Sequence, residues 1–146
     1  VRWIDDSKAT NPHAADAALH AFDPIVWIAG GLAKGADYDA LVAAHAHRLR
    51  AVVLIGADRT PLRTALAARA PEVPVLEVDL PADPADTDPA ERGTAVAERA
   101  VALAASAAQA GDTVLLAPAA ASMDQFLDYA TRGELFARAV RRAAGA

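Results

Sequence analysis

The chain contains no cysteine. Disulfide scaffolds, thiol nucleophiles and thiolate metal sites are excluded with it. Lysine is almost as scarce: Lys8 and Lys34 are the only two, although Lys and Arg together number 14. Aromatic residues make up 5%, and neither a basic stripe nor an aromatic platform marks a nucleic-acid surface. The apolar runs are far too short to cross a bilayer. No basic segment followed by an apolar one opens the sequence as a secretory signal does, and residue 1 is not Met. The expectation is therefore a piece of a longer protein, cytoplasmic, handling small molecules. A GxxxxGKS/T phosphate loop, a dinucleotide fingerprint and a GxSxG nucleophile turn are all missing.

What remains is ample for one folded unit. The 146 residues carry a net charge of -5 and are 54% hydrophobic, with alanine a heavy contributor. Continuous apolar runs at Ile25–Ala29, Ala51–Ile55 and Thr113–Ala117 read as strands buried on both faces, as in parallel sheets. Val1–Ile4 and Val73–Val78 read as further strands, the second weakened by Pro74. Helices are expected over Pro12–Phe22, Asp37–His47, Thr60–Arg69, Glu91–Gln109, Ser122–Tyr129 and Gly133–Ala144. Asp79–Pro89 reads as an acidic surface loop. Strands alternating with helices predict an α/β three-layer sandwich, Rossmann-like, with a mostly parallel sheet. Strand order is not legible at this level.

Ligands of such sheets bind beyond the carboxyl ends of the strands. Three polar segments fall there: Asp5–Asn11, Gly30–Asp39 and Pro118–Gln125. Asn11 before Pro12 reads as a helix cap. Lys34, in a glycine-flanked loop ahead of a helix, reads either as a solvated lysine or as an anion anchor near a helix N-terminus. Ser122 with Gln125 three residues on has the form of a capping box, which also leaves backbone N–H groups for a carboxylate. The four histidines are scattered, His45 and His47 cannot share a helix face, and no metal site is expected.

Taken together, "DSKATNP" at Asp6–Pro12, "GGLAKGADYD" at Gly30–Asp39, "VLLAPAAASMDQF" at Val114–Phe126 and "RGELF" at Arg132–Phe136 resemble the C-terminal domain of the bacterial Mur ligases. The likeness is strongest to the branch that adds D-glutamate to the peptidoglycan precursor. It implies a three-domain ligase in which the first domain binds the UDP sugar, the central one holds ATP and Mg2+, and the third presents the amino acid. Residues 1–146 are then that third domain. The resemblance implies no cofactor in this chain by itself. It implies D-glutamate, UDP-N-acetylmuramoyl-L-alanine and the ligase's own two other domains as partners, with neither nucleic acid nor membrane among them.

The resemblance also assigns roles residue by residue. Lys34 and Thr10 match positions that bind the side-chain carboxylate of D-glutamate. Ser122, with the backbone N–H of Met123, matches the other substrate anchor, and Tyr129 matches an aromatic position lining the same pocket. Lys8 matches a catalytic lysine beside the reacting phosphates. Asp6 and Asn11 match positions on the nucleotide side or at the domain interface. Ala120 stands where some members carry Cys, a departure without effect on a reaction whose nucleophile comes from the substrate. The alternatives are a sister ligase domain for another amino acid and a non-catalytic small-molecule-binding module of the same fold. A diamino acid would need groups for its distal ammonium and carboxylate, and no such motif is present.

Overall fold

The apolar runs become five strands of one parallel sheet: β1 (Arg2–Asp5), β2 (Ile25–Ala29), β3 (Leu49–Leu54), β4 (Val75–Glu77) and β5 (Thr113–Leu116). Their order is β1-β5-β2-β3-β4, with every pair parallel. The computed structural model describes residues 1–79, 88–122, 125–126 and 128–145. Most of the loop expected at Asp79–Pro89 lies outside them, as do Met123 and Asp124.

Helices α1 (Pro12–Leu19), α2 (Asp39–His45) and α3 (Thr60–Arg69) cover one face of the sheet, and α4 (Pro89–Ala107) and α5 (Tyr129–Gly145) cover the other. The strand periodicity sets this division. Ile25, Trp27 and Ala29 of β2 pack with Leu19, Val42 and Leu66. Val26 and Ile28 pack with Val96, Ala100, Val101 and Phe136. Both faces of β2 are thus buried, as its unbroken apolar run requires. β4 is short and lies at an edge, and there Pro74 costs little: its carbonyl accepts from Val52 N at 2.9 Å.

Right-handed crossovers fix the two layers. The chain steps outward through β2, β3 and β4 with its helices on one face. It then returns through α4, on the other face, to set β5 between β1 and β2. Registers place Asp5 opposite Leu116 and Leu116 opposite Ile28, so the carboxyl ends of β1, β5 and β2 are level. The segments that follow these three strands leave the sheet side by side.

The expected helices at Ser122–Tyr129 and Gly133–Ala144 are corrected. One helix, α5, runs unbroken from Tyr129 to Gly145, and none of the described residues between Ser122 and Asp128 is helical. Instead of completing a capping box, Gln125 accepts from Gly56 N through Oε1 at 2.8 Å. The Ser122 carbonyl closes a single turn with Gln125 N and Phe126 N, which lets Phe126 bury against Phe136. The N-terminal cap of α5 is Asp128, whose Oδ1 accepts from Thr131 N at 2.7 Å. Gly133 does not start a helix. It lies within α5 where a Cβ would press on the Asp5 carboxylate and Ser7, so the missing side chain lets the helix approach the end of β1.

At the opposite end of the sheet, Asp112 is buried before β5. It accepts from Arg50 Nε at 3.0 Å and Nη2 at 3.2 Å, and from Gln109 N at 2.8 Å. The Arg50 guanidinium, against the cost of burial, holds this carboxyl below its ordinary value of 3.8. A depressed carboxyl contributes stability above its unfolded-state value and loses it as pH falls through the folded value. Asp112→Asn is expected to lower the urea midpoint at neutral pH, with the deficit shrinking as both proteins are acidified past that range. A deficit that is constant in acid would mean that ionisation of Asp112 contributes nothing.

Candidate functional site at the carboxyl ends of three strands

The site is built on main-chain bonds that converge on the segment after β5. Ala119 is their hub. Its N–H donates to the Ala9 carbonyl at 2.8 Å, and its carbonyl accepts from Tyr38 Oη at 2.9 Å. Ala119 itself has φ 60°, in the left-handed region, where a small side chain limits the strain. Gly30 N donates to the Pro118 carbonyl at 2.9 Å, and Leu32 and Ala121 exchange two bonds, 2.8 and 3.0 Å, as an isolated antiparallel bridge. Asp6 N donates to the Leu116 carbonyl at 2.8 Å. All three polar segments singled out from sequence are therefore joined to one another.

Glycine permits the closest approach. Gly30 has φ 118°, and a Cβ there would overlap the Ile55 carbonyl oxygen. Tyr38 is buried, and burial pushes its phenol up to about 12. It stays protonated and donates to Ala119 throughout the neutral range.

A second clasp comes from α5. Arg132 is fully buried. Its Nε donates to Ser7 Oγ at 2.9 Å, Nη2 to the Ser7 carbonyl at 2.8 Å and Nη1 to the Ala120 carbonyl at 3.1 Å. Ser7 Oγ in turn donates to the Tyr129 carbonyl at 2.6 Å. One guanidinium fork thus ties the segment after β1 to the segment after β5, and Ser7 ties both to the start of α5. Burying a guanidinium is costly unless its N–H groups find acceptors, and three backbone or hydroxyl oxygens are supplied.

On this frame the residues marked from sequence take definite places. Lys8 and Lys34 are exposed, and among the described residues neither makes an ion pair. Asp6 and Thr10 are half-buried, and the short turn between them is closed by Ala9 N to the Asp6 carbonyl and Thr10 N to the Lys8 carbonyl. Asn11 is the cap of α1, its Oδ1 accepting from Ala14 N at 2.9 Å. Ser122 is buried beside the clasp, and Tyr129 is exposed at the first turn of α5. Met123 lies outside the described residues.

The helix that follows Lys34 starts two residues later than expected. α2 starts at Asp39, and the Asp37 carboxylate already accepts from Asp39 N at 3.0 Å. Lys34 instead has φ 52°, followed by Gly35 at φ 78°. It is an exposed cation on a left-handed turn. This costs a non-glycine residue about 1–2 kcal/mol.

Sequence reading missed Tyr38 and Arg132 and gave Gln125 a different role; the partners of all three are distant in sequence and mostly backbone groups. For Arg132 a signal existed: an arginine followed directly by glycine within an otherwise helical run. Arg132→Met would leave the Ser7 and Ala120 carbonyls without these donors, at roughly 1–3 kcal/mol for each orphaned buried group. The expected result is a large drop in urea midpoint, accompanied by faster amide exchange at Ala119 and Ala121. Arg132→Lys, which keeps the charge without the fork, should fall between. Wild-type midpoint and exchange in Arg132→Met would show that the clasp is dispensable.

The chain matches the profile of the glutamate ligase domain of Mur ligases over residues 1–120. It is 57% identical over 145 residues to the UDP-N-acetylmuramoylalanine–D-glutamate ligase of Leifsonia xyli subsp. xyli, covering 99% of this chain and 26% of that protein. It is 60% identical over 141 residues to the enzyme of the same name from Streptomyces avermitilis, covering 97% and 28%. Identity to the Mycobacterium tuberculosis enzyme of that name is 52% over 159 residues, covering 97% and 32%. The chain spans between a quarter and a third of the length of these curated relatives. A parallel sheet whose loops converge beyond β1, β2 and β5, together with these matches along nearly its whole length, places the chain in the Mur ligase family.

Proposed function

We propose that this chain is the amino-acid-presenting domain of an ATP-dependent ligase that joins D-glutamate to UDP-N-acetylmuramoyl-L-alanine. The observation that carries the reading is the tying of the Lys8–Thr10, Lys34 and Ser122 segments to one hub at Ala119 and Ala121. The names of the relatives, which agree on D-glutamate, support it. On this reading the residues are the third domain of a three-domain protein. ATP and Mg2+ are held by another domain, in keeping with the missing phosphate-loop sequence. Mg2+ there would neutralise charge on the transferred phosphoryl group.

The reaction is amide formation through an acyl phosphate. The terminal carboxylate of the UDP-sugar substrate takes the γ-phosphoryl group of ATP. The D-glutamate amine then attacks the acyl carbonyl, and phosphate leaves from the tetrahedral intermediate. This domain must hold both carboxylates of D-glutamate and leave its amine neutral and free. Lys34 and Thr10 hold the side-chain carboxylate. Ser122, with the Met123 N–H, holds the other, and Tyr129 lines the pocket. Lys8 supports charge developing on the phosphoryl oxygens. Asp6 and Asn11 lie on the nucleotide side or at the domain interface, Asn11 acting also through its cap of α1.

Variants in the full-length enzyme separate these roles. Lys34→Ala removes a charged hydrogen bond worth roughly 1.5–3 kcal/mol, or about 10- to 150-fold in kcat/KM for D-glutamate. The KM values for ATP and the UDP sugar should stay near wild type. Thr10→Ala should raise the D-glutamate KM. Lys8→Ala should instead lower kcat at saturation of all three substrates, because its interaction strengthens toward the transition state. Loss of ATP binding in Lys34→Ala with normal D-glutamate saturation would sink the assignment.

The 146-residue chain by itself should unfold cooperatively and release no phosphate in the presence of ATP and D-glutamate. Phosphate release dependent on D-glutamate by the purified chain would overturn the division of labour proposed here.

A further inference from the structure

The fold brings together three residues that sequence spacing left scattered. Asp16 and His20 lie four apart at the end of α1 and so share a face. His45 closes α2, which packs beside α1 on the same layer. The His45 and His20 rings meet edge to face with centroids 4.6 Å apart. His45 Nε2 is 2.7 Å from Asp16 Oδ1, and His20 Nδ1 is 3.6 Å from the same oxygen. One donor atom from each residue lies within 4.8 Å of the other two. The group is at the ends of α1 and α2 remote from the Lys8 and Lys34 segments.

We propose that Asp16, His20 and His45 form a binding site for a divalent transition ion of the zinc class. Two imidazoles and a carboxylate are the donor set such ions favour over calcium or magnesium, which prefer oxygen cages. Bonds of about 2.0–2.1 Å in a tetrahedral arrangement separate neighbouring donors by about 3.3 Å. The 2.7 and 3.6 Å spacings bracket that value, so small side-chain shifts suffice.

His20 Nδ1, the ring nitrogen that faces the Asp16 carboxylate, lies 2.8 Å from the Asp16 carbonyl and would give up that hydrogen bond to the ion, its proton moving to Nε2 of the exposed ring. His45 is fully buried, and its Nδ1 has no hydrogen-bond partner. No acceptor or donor at Nδ1 therefore dictates its tautomer. Without metal, Nε2–H faces the Asp16 carboxylate. On coordination Nε2 supplies its lone pair, and its proton moves to Nδ1, which has no competing partner. Asp16 is half-buried and His20 exposed, which gives the ion a path in and leaves the remaining coordination position to water. Burial, and after it the neighbouring His20 and Arg48, disfavour positive charge on His45 and so favour the neutral ring that a metal ion needs.

The test is a titration of Zn2+ into chelator-stripped protein, read by calorimetry and by the imidazole resonances in NMR. One ion should bind per chain, shifting the His20 and His45 signals, with excess Mg2+ failing to compete. His20→Ala alters an exposed side chain and so keeps the fold. It should weaken Zn2+ at least about 10-fold, the lower bound for losing even outer-shell support. Asp16→Asn should do the same, whereas His13→Ala and His47→Ala should bind as wild type. Absence of binding at millimolar Zn2+, or equal binding by wild type and His20→Ala, would overturn the proposal.

Discussion

The insertion of β5 between β1 and β2 is the constraint on which the rest of the molecule depends. β1 touches the sheet only through β5. The three segments that form the candidate site follow these three strands, so their convergence exists only once the chain has returned across the sheet. That return needs α4 on the face opposite α1–α3, which divides the core into its two halves. It also needs β5 to be apolar on both faces, and all four of its residues are buried. The long stretch between β1 and its partner makes this pairing entropically expensive to close. Burial on both faces of the sheet and the clasp from α5 offset that cost.

The frame of the site is mostly main chain, and its few side-chain members are hidden. Ala117, Ala119, Ala120 and Ala121 contribute carbonyls and N–H groups rather than functional side chains. Alanine suits this use, because a larger residue at Ala119 would add strain in the left-handed region and a larger one at Ala120 would press on its neighbours. Tyr38 and Arg132 then supply donors to carbonyls that the irregular backbone leaves without ladder partners. The polar side chains proposed to meet substrate stand outside this frame. Lys8 and Lys34 are exposed and carry none of the bonds that hold the segments together.

The fold class was legible because the central strands β2, β3 and β5 lie in continuous apolar runs that alternate with periodic helical segments. The cap at Asn11 was equally plain, since its role is local and is encoded by Asn before Pro. Legibility failed where a local pattern was outbid by a distant partner. Ser122 and Gln125 have the spacing of a capping box, but Gln125 finds Gly56, 69 residues away in sequence, and Asp128 takes the cap instead. Arg132 was legible only as part of the family likeness at Arg132–Phe136, because nothing near it in sequence names Ser7 and Ala120 as its partners. Strand order was unreadable for the same reason: apolar runs state that a strand is buried without naming its neighbours. The three polar segments could still be matched together, since their order along the chain carries the family likeness even when their contacts do not.

A hub made of backbone bonds has a consequence for how such a domain can diverge. On the proposed reading, substitution at Lys34 or Thr10 alters what is offered to a ligand but leaves the Ala9–Ala119, Tyr38–Ala119 and Leu32–Ala121 links in place. Preference for the incoming molecule can then drift by single exchanges at positions that carry none of these links. Changes at Gly30, Ala119 or Arg132 strike the scaffold whatever the ligand. The architecture therefore separates heritable variation into two streams, one free to explore new chemistry and one held fixed, within a stretch of chain where the two kinds of residue are often immediate neighbours.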